Sequence, residues 1–319
     1  MKARALWHTS NTSSVLKEKH LHPPRQGQLV INSSYSYISL GTEIIVSKGL
    51  VANGSTDSMK IPYMQGDFDF PLTYGYSLCG KVIEGPDEFL DKFVHLMHPH
   101  QDKLVVDIES VTVVPDGIPS HRAVLASNLE TIVNAIWDGG VSIGDHVLVA
   151  GLGSVGTLLA LALLQMYQVS IHVTEQDEEK LKWARDMGLK PHAGMNEKVD
   201  IAFNATGNDR GLQYCLDHTS REGTIVELSW YGNTQCNLEL GNDFHFGRKK
   251  IVSSQVSRLP GIKSGRWNLP RRKGLVFDML KDTFWDEVPC SWVNFHELPS
   301  LFDKLREGEI DNSMVKVKY

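Results

Sequence analysis

Residues 146–175 read HVLVAGLGSVGTLLALALLQMYQVSIHVTE, and this stretch decides how the rest of the chain is interpreted. It begins with a short apolar run, His146–Ala150, which is typical of a parallel strand buried on both faces. A glycine-rich turn follows, then an apolar stretch of helical length over Thr157–Tyr167, and then a second strand-like run, Val169–Thr174. The order strand, turn, helix, strand predicts one unit of a parallel sheet.

The turn matches the pattern G-x-G-x-x-G. Gly151 permits the tight turn, Gly153 lets a pyrophosphate approach the backbone at the helix N-terminus, and Gly156 lets helix and strand pack closely. We therefore predict that these glycines, together with Ser154 and Val155, bind the pyrophosphate of a dinucleotide.

Four further positions complete the predicted cofactor site. Glu175 follows the second strand at the place where an acid binds the adenosine ribose, about 20 residues past the turn. Its carboxylate should repel a 2′-phosphate, so NAD(H) is favoured over NADP(H), although the nearby cation Lys180, also a predicted cofactor residue, acts the other way. Thr206 and Gly207 end a later strand at the carboxyl edge of the sheet, where they either contact the cofactor or form a simple loop.

The alternation continues beyond this unit. Predicted strands Asp200–Asn204 and Thr224–Ser229 flank a helical Asp209–His218, which indicates a doubly wound parallel sheet. Residues 1–120 instead carry short β-like runs broken by Gly, Pro, Asn and Asp, which are typical of an antiparallel, barrel-like module. The final strand-like run, Met314–Lys318, is expected to return to that first module.

Composition excludes several classes of protein. The chain has 319 residues, 41% of them hydrophobic, and a net charge of −6, which suits about two soluble domains and neither a disordered chain nor a typical nucleic-acid binder. The longest apolar stretch, Leu158–Leu164, is far shorter than the roughly 18 residues that span a bilayer. The N-terminus lacks the apolar core of a signal peptide, so a cytoplasmic protein with no membrane partner is expected. The four cysteines are scattered, which predicts reduced thiols rather than a zinc ribbon.

A β-rich module followed by a glycine-turn sheet resembles the medium-chain dehydrogenase/reductase superfamily of zinc-type alcohol and threonine dehydrogenase-related proteins. The resemblance covers essentially the whole chain and rests on a set of short motifs. These are Gly41-Thr42-Glu43, Pro71…Gly75-Tyr76-Ser77…Gly80, Gly144-Asp145…Gly156, Glu175…Lys180 and Ala205-Thr206-Gly207. Within the superfamily, Ile38–Glu43 and the Gly75-Tyr76 pair look most like bacteriochlorophyllide 3-hydroxyethyl dehydrogenases.

The resemblance implies an α/β protein with a Rossmann doubly wound parallel sheet and a GroES-like β-barrel-type catalytic domain. It implies a catalytic domain over residues 1–120, a dinucleotide-binding domain over 121–280 and a return to the catalytic domain over 281–319. It also implies a small-molecule substrate and a homodimer or homotetramer.

The chain departs from the zinc-dependent members at the metal ligands. Those members have Cys-Gly-Thr-Asp where this chain has Leu40–Glu43, and Gly-His-Glu where it has Gly75–Ser77. Their third ligand should fall around Ser127–Glu130. Leucine cannot bind zinc, and a catalytic zinc needs about three protein ligands. We therefore expect no metal site and a zinc-independent protein.

Without a Lewis acid, hydride transfer still needs a proton donor or acceptor beside the substrate oxygen. Thr42 matches the family's proton-relay hydroxyl, and Tyr76 replaces a ligand histidine, which implies a phenol near the nicotinamide. His100 is an imidazole in a predicted loop facing the cleft, and Glu130 is a fourth candidate. The alternatives are structural: a helix cap for Thr42, packing for Tyr76, a loop residue for His100 and a solvated helix acid for Glu130.

The segment from Phe244 to Phe277 contains basic residues and no acid, which predicts a positive patch. The basic residues are Arg248, Lys249, Lys250, Arg258, Lys263, Arg266, Arg271, Arg272 and Lys273. A solvated or subunit-contact surface is one interpretation, and recognition of an anionic substrate by Arg258 and Arg266 is another. RNA binding is considered because aromatics interleave the patch, but we expect no nucleic-acid partner.

Together these features predict an NAD(H)-dependent, zinc-independent oxidoreductase that interconverts an alcohol and a carbonyl on a small substrate, with an anionic substrate as one option. Two alternatives remain open: a quinone or enone reductase of the same superfamily, and a non-catalytic NAD(H)-binding regulator.

Overall fold

The computed structural model describes residues 1–194, 197–310 and 314–319. Along these residues the strands are β1 (Lys2–Ser10), β2 (Ser13–His20), β3 (Gln28–Ile38), β4 (Leu78–Glu84), β5 (Phe93–Leu96), β6 (Lys103–Asp107), β7 (Val111–Val113), β8 (His146–Ala150), β9 (Ser170–Thr174), β10 (Lys190–Pro191), β11 (Val199–Asn204), β12 (Thr219–Glu227), β13 (Lys250–Ser253), β14 (Ser291–Asn294) and β15 (Val315–Lys318). The α-helices are α1 (Leu40–Ser47), α2 (Thr56–Met59), α3 (Ser120–Ala123), α4 (Ala126–Gly139), α5 (Ser154–Leu164), α6 (Glu178–Asp186), α7 (Asp209–His218), α8 (Asp243–Phe246), α9 (Gly261–Ser264), α10 (Leu269–Leu280) and α11 (Leu298–Glu307).

The chain divides into two compact units. Unit 1 comprises Met1–Ser127 and Leu275–Tyr319, and unit 2 comprises Asn128–Gly274. Both divisions fall inside helices, α4 and α10, a few residues from the boundaries that were expected after residues 120 and 280.

Unit 2 contains a six-stranded sheet in the order β10-β9-β8-β11-β12-β13, and every neighbouring pair is parallel. The register aligns Ala150 with Thr174 on one side and with Asn204 on the other, and Asn204 with Glu227. These four residues therefore end their strands at one edge of the sheet. The apolar strands are buried between helices, as the sequence predicted. Helix α5 begins at Ser154, three residues earlier than expected, because the end of the glycine turn is already helical.

Unit 1 contains a mixed sheet in the order β14-β15-β3-β4-β5-β7, with β6 also paired to β3. β14 and β15 are parallel, and the other pairs are antiparallel. β3 runs from Gln28 to Ile38, and its second half is polar in sequence but partly buried. Ser36 can be fully buried there because its hydroxyl has partners inside the unit.

The two sheets confirm the predicted α/β class. The β1–β2 hairpin forms a separate antiparallel pair that the sequence patterning missed. Within the described ranges, no helix has both the length and the apolar character needed to cross a membrane.

Candidate functional site

The glycine turn of unit 2 is held by close backbone packing. Gly151 has a φ of +88°, a left-handed conformation that glycine adopts without strain. A Cβ on Gly151 would meet the backbone of Ala205 at 3.1 Å. A Cβ on Gly156 would collide with the carbonyl oxygen of Gly151. Gly151 is therefore required mainly by its backbone conformation, and Gly156 by packing.

Gly153 differs from these two glycines, because a Cβ added to it would meet nothing within 4 Å. It is the N-cap of α5, and Ser154 and Val155 form the first turn of that helix. The first amides of a helix lack intrahelical acceptors and favour an anion. Open space beside such amides is what a pyrophosphate requires, so the turn fits a dinucleotide.

Glu175 follows β9 and is tied to the turn. Its Oε2 accepts a hydrogen bond from the Leu152 N–H at 2.7 Å, and its Oε1 accepts from the N–H groups of Gln176 at 2.6 Å and Asp177 at 3.2 Å. A carboxylate offers about four acceptor positions, so capacity remains for a ribose hydroxyl. The bond to the turn was not foreseen from the sequence.

Lys180 lies on α6 close to an acid. Its Nζ is 4.0 Å from Oδ2 of Asp177, the residue that caps α6 by accepting from the N–H groups of Glu179 and Lys180. Part of its charge is therefore balanced locally, which weakens the argument that Lys180 attracts a 2′-phosphate.

Thr206 and Gly207 form an ordered loop at the carboxyl edge of the sheet. The Oδ1 of buried Asn204 accepts from Thr206 Oγ1 at 2.8 Å and from Thr206 N–H at 3.2 Å. The N–H of Gly207 donates to Ser229 Oγ at 2.9 Å. This loop is thereby fixed next to the turn, since Gly151 also packs against Ala205.

A polar network at the end of β12 supports the same loop and was missed by sequence reasoning. The amide of Asn204 donates to Glu227 Oε2 at 2.8 Å and to Tyr231 Oη at 3.1 Å, and the Tyr231 hydroxyl donates to Glu227 Oε2 at 3.1 Å. Burial and the Glu227 carboxylate raise the pKa of Tyr231. The available signal was the three polar side chains Glu227, Ser229 and Tyr231 at the end of an apolar strand.

In unit 1 the structure brings two of the four catalytic candidates together. Thr42 lies in the first turn of α1, and the Tyr76 hydroxyl donates to Thr42 Oγ1 at 3.5 Å. Burial raises the pKa of Tyr76 to about 12, while hydrogen bonds to Ser39 and Thr42 oppose that change. The phenol is therefore protonated at neutral pH.

His100 lies in the loop between β5 and β6, as predicted, but its side chain is buried within unit 1. It is 1% exposed, its Nε2 is 2.9 Å from Glu43 Oε2, and its Nδ1 is 2.8 Å from Ser36 Oγ. The ring lies against Gly75, where a Cβ would come within 2.9 Å of it. The missing side chain at Gly75 therefore makes the space that buries His100.

Glu130, the fourth candidate, belongs to unit 2, whereas the other three belong to unit 1. It is 9% exposed, and its carboxylate pairs with Arg272 at 3.3 Å and with Lys273. The interpretation as a solvated helix acid is therefore wrong, because two cations of the basic segment cover it.

The positions that correspond to zinc ligands carry other contacts. Leu40 begins α1, and the Ser127 hydroxyl donates to the Tyr76 carbonyl at 2.8 Å. Among the residues that the structure describes, no group of three or more His, Cys, Asp or Glu side chains could hold a metal ion.

The basic segment is less positive than its sequence suggests. Besides Arg272 and Lys273 on Glu130, Arg248 pairs with Glu222 and Lys249 with Asp243. Two more cations lie over aromatic rings, Lys263 at 5.3 Å from Trp137 and Arg271 at 4.1 Å from Trp267. Arg258 and Arg266 are exposed and form no ion pair with a described residue.

Comparison with known proteins adds to this description. No family model matches the chain. Over 215 residues it is 23% identical to an uncharacterized zinc-type alcohol dehydrogenase-like protein of Haemophilus influenzae, which covers 60% of each chain. Over 200 residues it is 23% identical to D-guloside 3-dehydrogenase of Escherichia coli, which covers 58% of this chain and 55% of that protein. The chain thus spans between about half and 60% of the length of the curated relatives it matches.

Solved structures share the fold over the whole chain. 2R,3R-butanediol dehydrogenase from Bacillus subtilis matches with a TM-score of 0.76 at 16% identity, over 100% of both chains. A zinc-binding dehydrogenase from Sinorhizobium meliloti, solved with NADP, matches with a TM-score of 0.77 at 14% identity, over 100% of both chains. Acetophenone reductase from Geotrichum candidum, solved with NAD, matches with a TM-score of 0.76 at 15% identity, over 100% of this chain and 97% of that one.

These matches identify the sheet of unit 2 as a Rossmann sheet and unit 1 as the GroES-like part of the same architecture. The specific likeness to bacteriochlorophyllide dehydrogenases stays a prediction. In sequence, the chain is similar to zinc-type alcohol dehydrogenase-like proteins over 50 to 60% of its length, and it shares its fold with solved dehydrogenases such as 2R,3R-butanediol dehydrogenase.

Proposed function

We propose that this protein is a zinc-independent, NAD(H)-dependent oxidoreductase that interconverts an alcohol and a carbonyl on a small substrate. The observation that carries the proposal is the glycine turn, with open space over Gly153 and with Glu175 bound to the turn backbone. The named relatives and neighbours are dehydrogenases and a reductase, which supports the same reaction class. We assign cofactor binding to unit 2 and the proton chemistry to unit 1.

In unit 2, Gly151, Gly153 and Gly156, with the first residues of α5, would hold the pyrophosphate. Glu175 would accept a ribose hydroxyl, and its negative charge would disfavour a 2′-phosphate. A bound nicotinamide supplies or accepts the hydride, which is the one part of the reaction that side chains cannot perform. Thr206 and Gly207 would border the cofactor at the carboxyl edge of the sheet.

In unit 1, Tyr76 and Thr42 would handle the proton. Carbonyl reduction needs a proton at the substrate oxygen, and the Tyr76 phenol, whose pKa burial raises above its ordinary value of about 10, carries a proton at neutral pH. Thr42 accepts from that phenol and can itself donate, so the pair offers two hydroxyls for one proton.

The zinc-independent part of the proposal rests on the side chains at the ligand positions. A leucine at position 40 has no donor atom, and the Ser127 hydroxyl is engaged with the Tyr76 carbonyl. A catalytic zinc with about three protein ligands would lack most of them here. The chain would in this respect depart from relatives that are named zinc-type.

The proposed substrate carries an anionic group recognised by Arg258 and Arg266. Six of the other cations of the basic segment, all except Lys250, have acidic or aromatic partners. The guanidinium groups of Arg258 and Arg266 are instead exposed and form no ion pair with a described residue. A guanidinium binds a carboxylate or phosphate with two parallel hydrogen bonds.

The test is oxidation of NADH, followed by absorbance, across a panel of ketones, keto acids, quinones and enones. We expect turnover with a ketone or keto acid, and a loss of at least about 100-fold in kcat for Tyr76→Phe, which removes a general acid. Tyr63→Phe is the matched control, since its hydroxyl bonds Ser110 elsewhere in unit 1. Turnover of enones alone would assign the quinone-reductase chemistry instead, and tight NADH binding without any turnover would indicate a regulator.

A further inference from the structure

Beneath the Thr42 and Tyr76 hydroxyls lies a buried acid and imidazole pair that the proposed chemistry does not use. Glu43 is 0% exposed and His100 is 1% exposed, and the Glu43 Oε2 and His100 Nε2 atoms are 2.9 Å apart. Burying two such groups carries a large desolvation cost unless further hydrogen bonds complete their shells. Glu43 and His100 must therefore have further hydrogen-bond partners inside unit 1.

Both members of the pair have those further bonds. Glu43 Oε1 accepts from the Ser39 N–H at 2.8 Å, just before α1. On the other side, His100 Nδ1 is 2.8 Å from Ser36 Oγ, which in turn is 3.0 Å from Tyr319 Oη. The pair thus joins the start of α1 to β3 and to Tyr319, the residue that follows β15.

His100 also contacts the segment Tyr74–Tyr76 through its backbone and its ring. Its N–H donates to the Tyr74 carbonyl at 3.2 Å, and its ring fills the space over Gly75. Tyr76 follows Gly75 directly, and its hydroxyl donates to Thr42, which directly precedes Glu43. The pair therefore contacts both segments that bear the two hydroxyls.

We propose that Glu43 and His100 are positioning residues, which hold the Tyr76 phenol against Thr42 and keep it away from water. The proposal rests on the function proposed above, in which Tyr76 moves the substrate proton. The groups that face the phenol are Tyr74, Ser39, Thr42 and Glu43.

The charge of Glu43 acts in the same direction as burial. Burial is the main cause that raises the pKa of Tyr76 to about 12, and the Glu43 carboxylate adds to it. Removing the charge, or letting water reach the phenol, should therefore move the Tyr76 pKa back towards the ordinary value of about 10. A role in packing alone would not require this change.

Three variants separate these roles. His100→Phe keeps a ring over Gly75 but loses both side-chain hydrogen bonds, whereas His100→Gln keeps a donor for Glu43 without the ring. Glu43→Gln removes the charge and keeps an acceptor for the Ser39 N–H. His98→Phe is the control, because His98 is equally buried but bonds the Pro99 carbonyl and stacks on Tyr63.

The first readout needs neither substrate nor cofactor. Tyrosinate absorbance is titrated in each variant and in the same variant carrying Tyr76→Phe, and the difference reports Tyr76. We expect Tyr76 to ionise at a lower pH in His100→Phe and Glu43→Gln than in the wild type, His98→Phe and His100→Gln. If His100→Phe does not fold, the comparison of Glu43→Gln with His100→Gln decides.

The second readout is kinetic. With a substrate from the panel, His100→Phe should lower kcat about 10- to 100-fold, as small misplacements of a reacting group do, with NADH affinity unchanged. Identical titrations and kcat values in His100→Phe and wild type would overturn the proposal, as would equal losses in His100→Phe and His100→Gln. A wild type without turnover would reject the proposed function, while the titration would still test the positioning.

Discussion

Substitution by alanine should affect ligand binding at Gly153 and stability at Gly156, although both glycines belong to one turn. A methyl group at position 156 would meet the carbonyl oxygen of Gly151 and lie 3.3 Å from the Ala205 Cβ, so the backbone must move. Overpacking of this kind costs about 1–3 kcal/mol. At about 2–4 °C per kcal/mol for a domain of this size, Gly156→Ala should melt several degrees lower than the wild type.

Gly153→Ala should leave the fold intact, because its φ of −73° suits alanine and the added methyl has free space around it. Its melting temperature should stay within the change produced by about 0.5 kcal/mol. The methyl would, however, occupy the space that a pyrophosphate needs, so we expect NADH to bind at least about tenfold more weakly, a loss of about 1.4 kcal/mol.

The assay is thermal melting followed by circular dichroism, with and without NADH, together with a fluorescence titration of NADH. A ligand at 100 times its Kd stabilises by about 2.7 kcal/mol, and Gly153→Ala should lose most of that increment at the same NADH concentration. Wild-type NADH affinity in Gly153→Ala would refute the placement of the pyrophosphate. A wild-type melting temperature in Gly156→Ala would refute the close packing of the turn.

Four other outcomes are expected. NADH should bind at least about tenfold more tightly than NADPH, and Glu175→Ala should narrow that difference in a titration of both cofactors. Elemental analysis of dialysed protein should find no stoichiometric zinc, and chelators should leave activity unchanged. Arg258→Ala and Arg266→Ala should raise KM for the best anionic substrate without changing NADH affinity. Added salt should also raise this KM in the wild type, because it screens the attraction between the substrate and the two cations. An unchanged KM in both variants would make this surface a solvent or subunit face. Burial lowers the pKa of His8 to about 3 and of His98 to about 4, so both side chains stay neutral in the folded protein at pH 5, whereas in the unfolded chain they become protonated below about pH 6.5. The free energy of unfolding should therefore be independent of these two groups above about pH 6.5 and fall by about 2 kcal/mol for each of them at pH 5, which melting curves at pH 7 and 5 will measure.

Local features of unit 2 could be predicted from the sequence. His146–Ala150 is a strand with the predicted bounds, because an apolar run followed by glycines has one structural interpretation in this context. The glycine turn was equally predictable, since its requirements are those of backbone geometry within a few residues.

Features that depend on distant partners could not be predicted in this way. His100 lies in a loop as expected, but its burial could not be predicted, because it depends on Glu43, Ser36 and the missing side chain at Gly75. The basic segment was expected as a concentrated patch, but Glu130 lies more than a hundred residues earlier in the chain and neutralises two of its cations. Sequence patterns indicate local propensity and spacing, whereas the contacts of His100 and of Glu130 join residues that are distant in the chain and depend on the tertiary structure.

The position of β15 between β14 and β3 has a consequence for the protein during its synthesis. All of unit 2 leaves the ribosome between β7 and β15, so the parallel sheet can form while the mixed sheet still lacks β15. At about 5–20 residues per second, the roughly 200 residues between β7 and β15 take about 10–40 s to translate. Throughout that interval the segment Tyr35–Ile38 of β3 lacks the strand that pairs with it, and an unpaired strand segment is the kind of surface that recruits chaperones or foreign strands. Slower translation of unit 2 would lengthen this exposure in direct proportion.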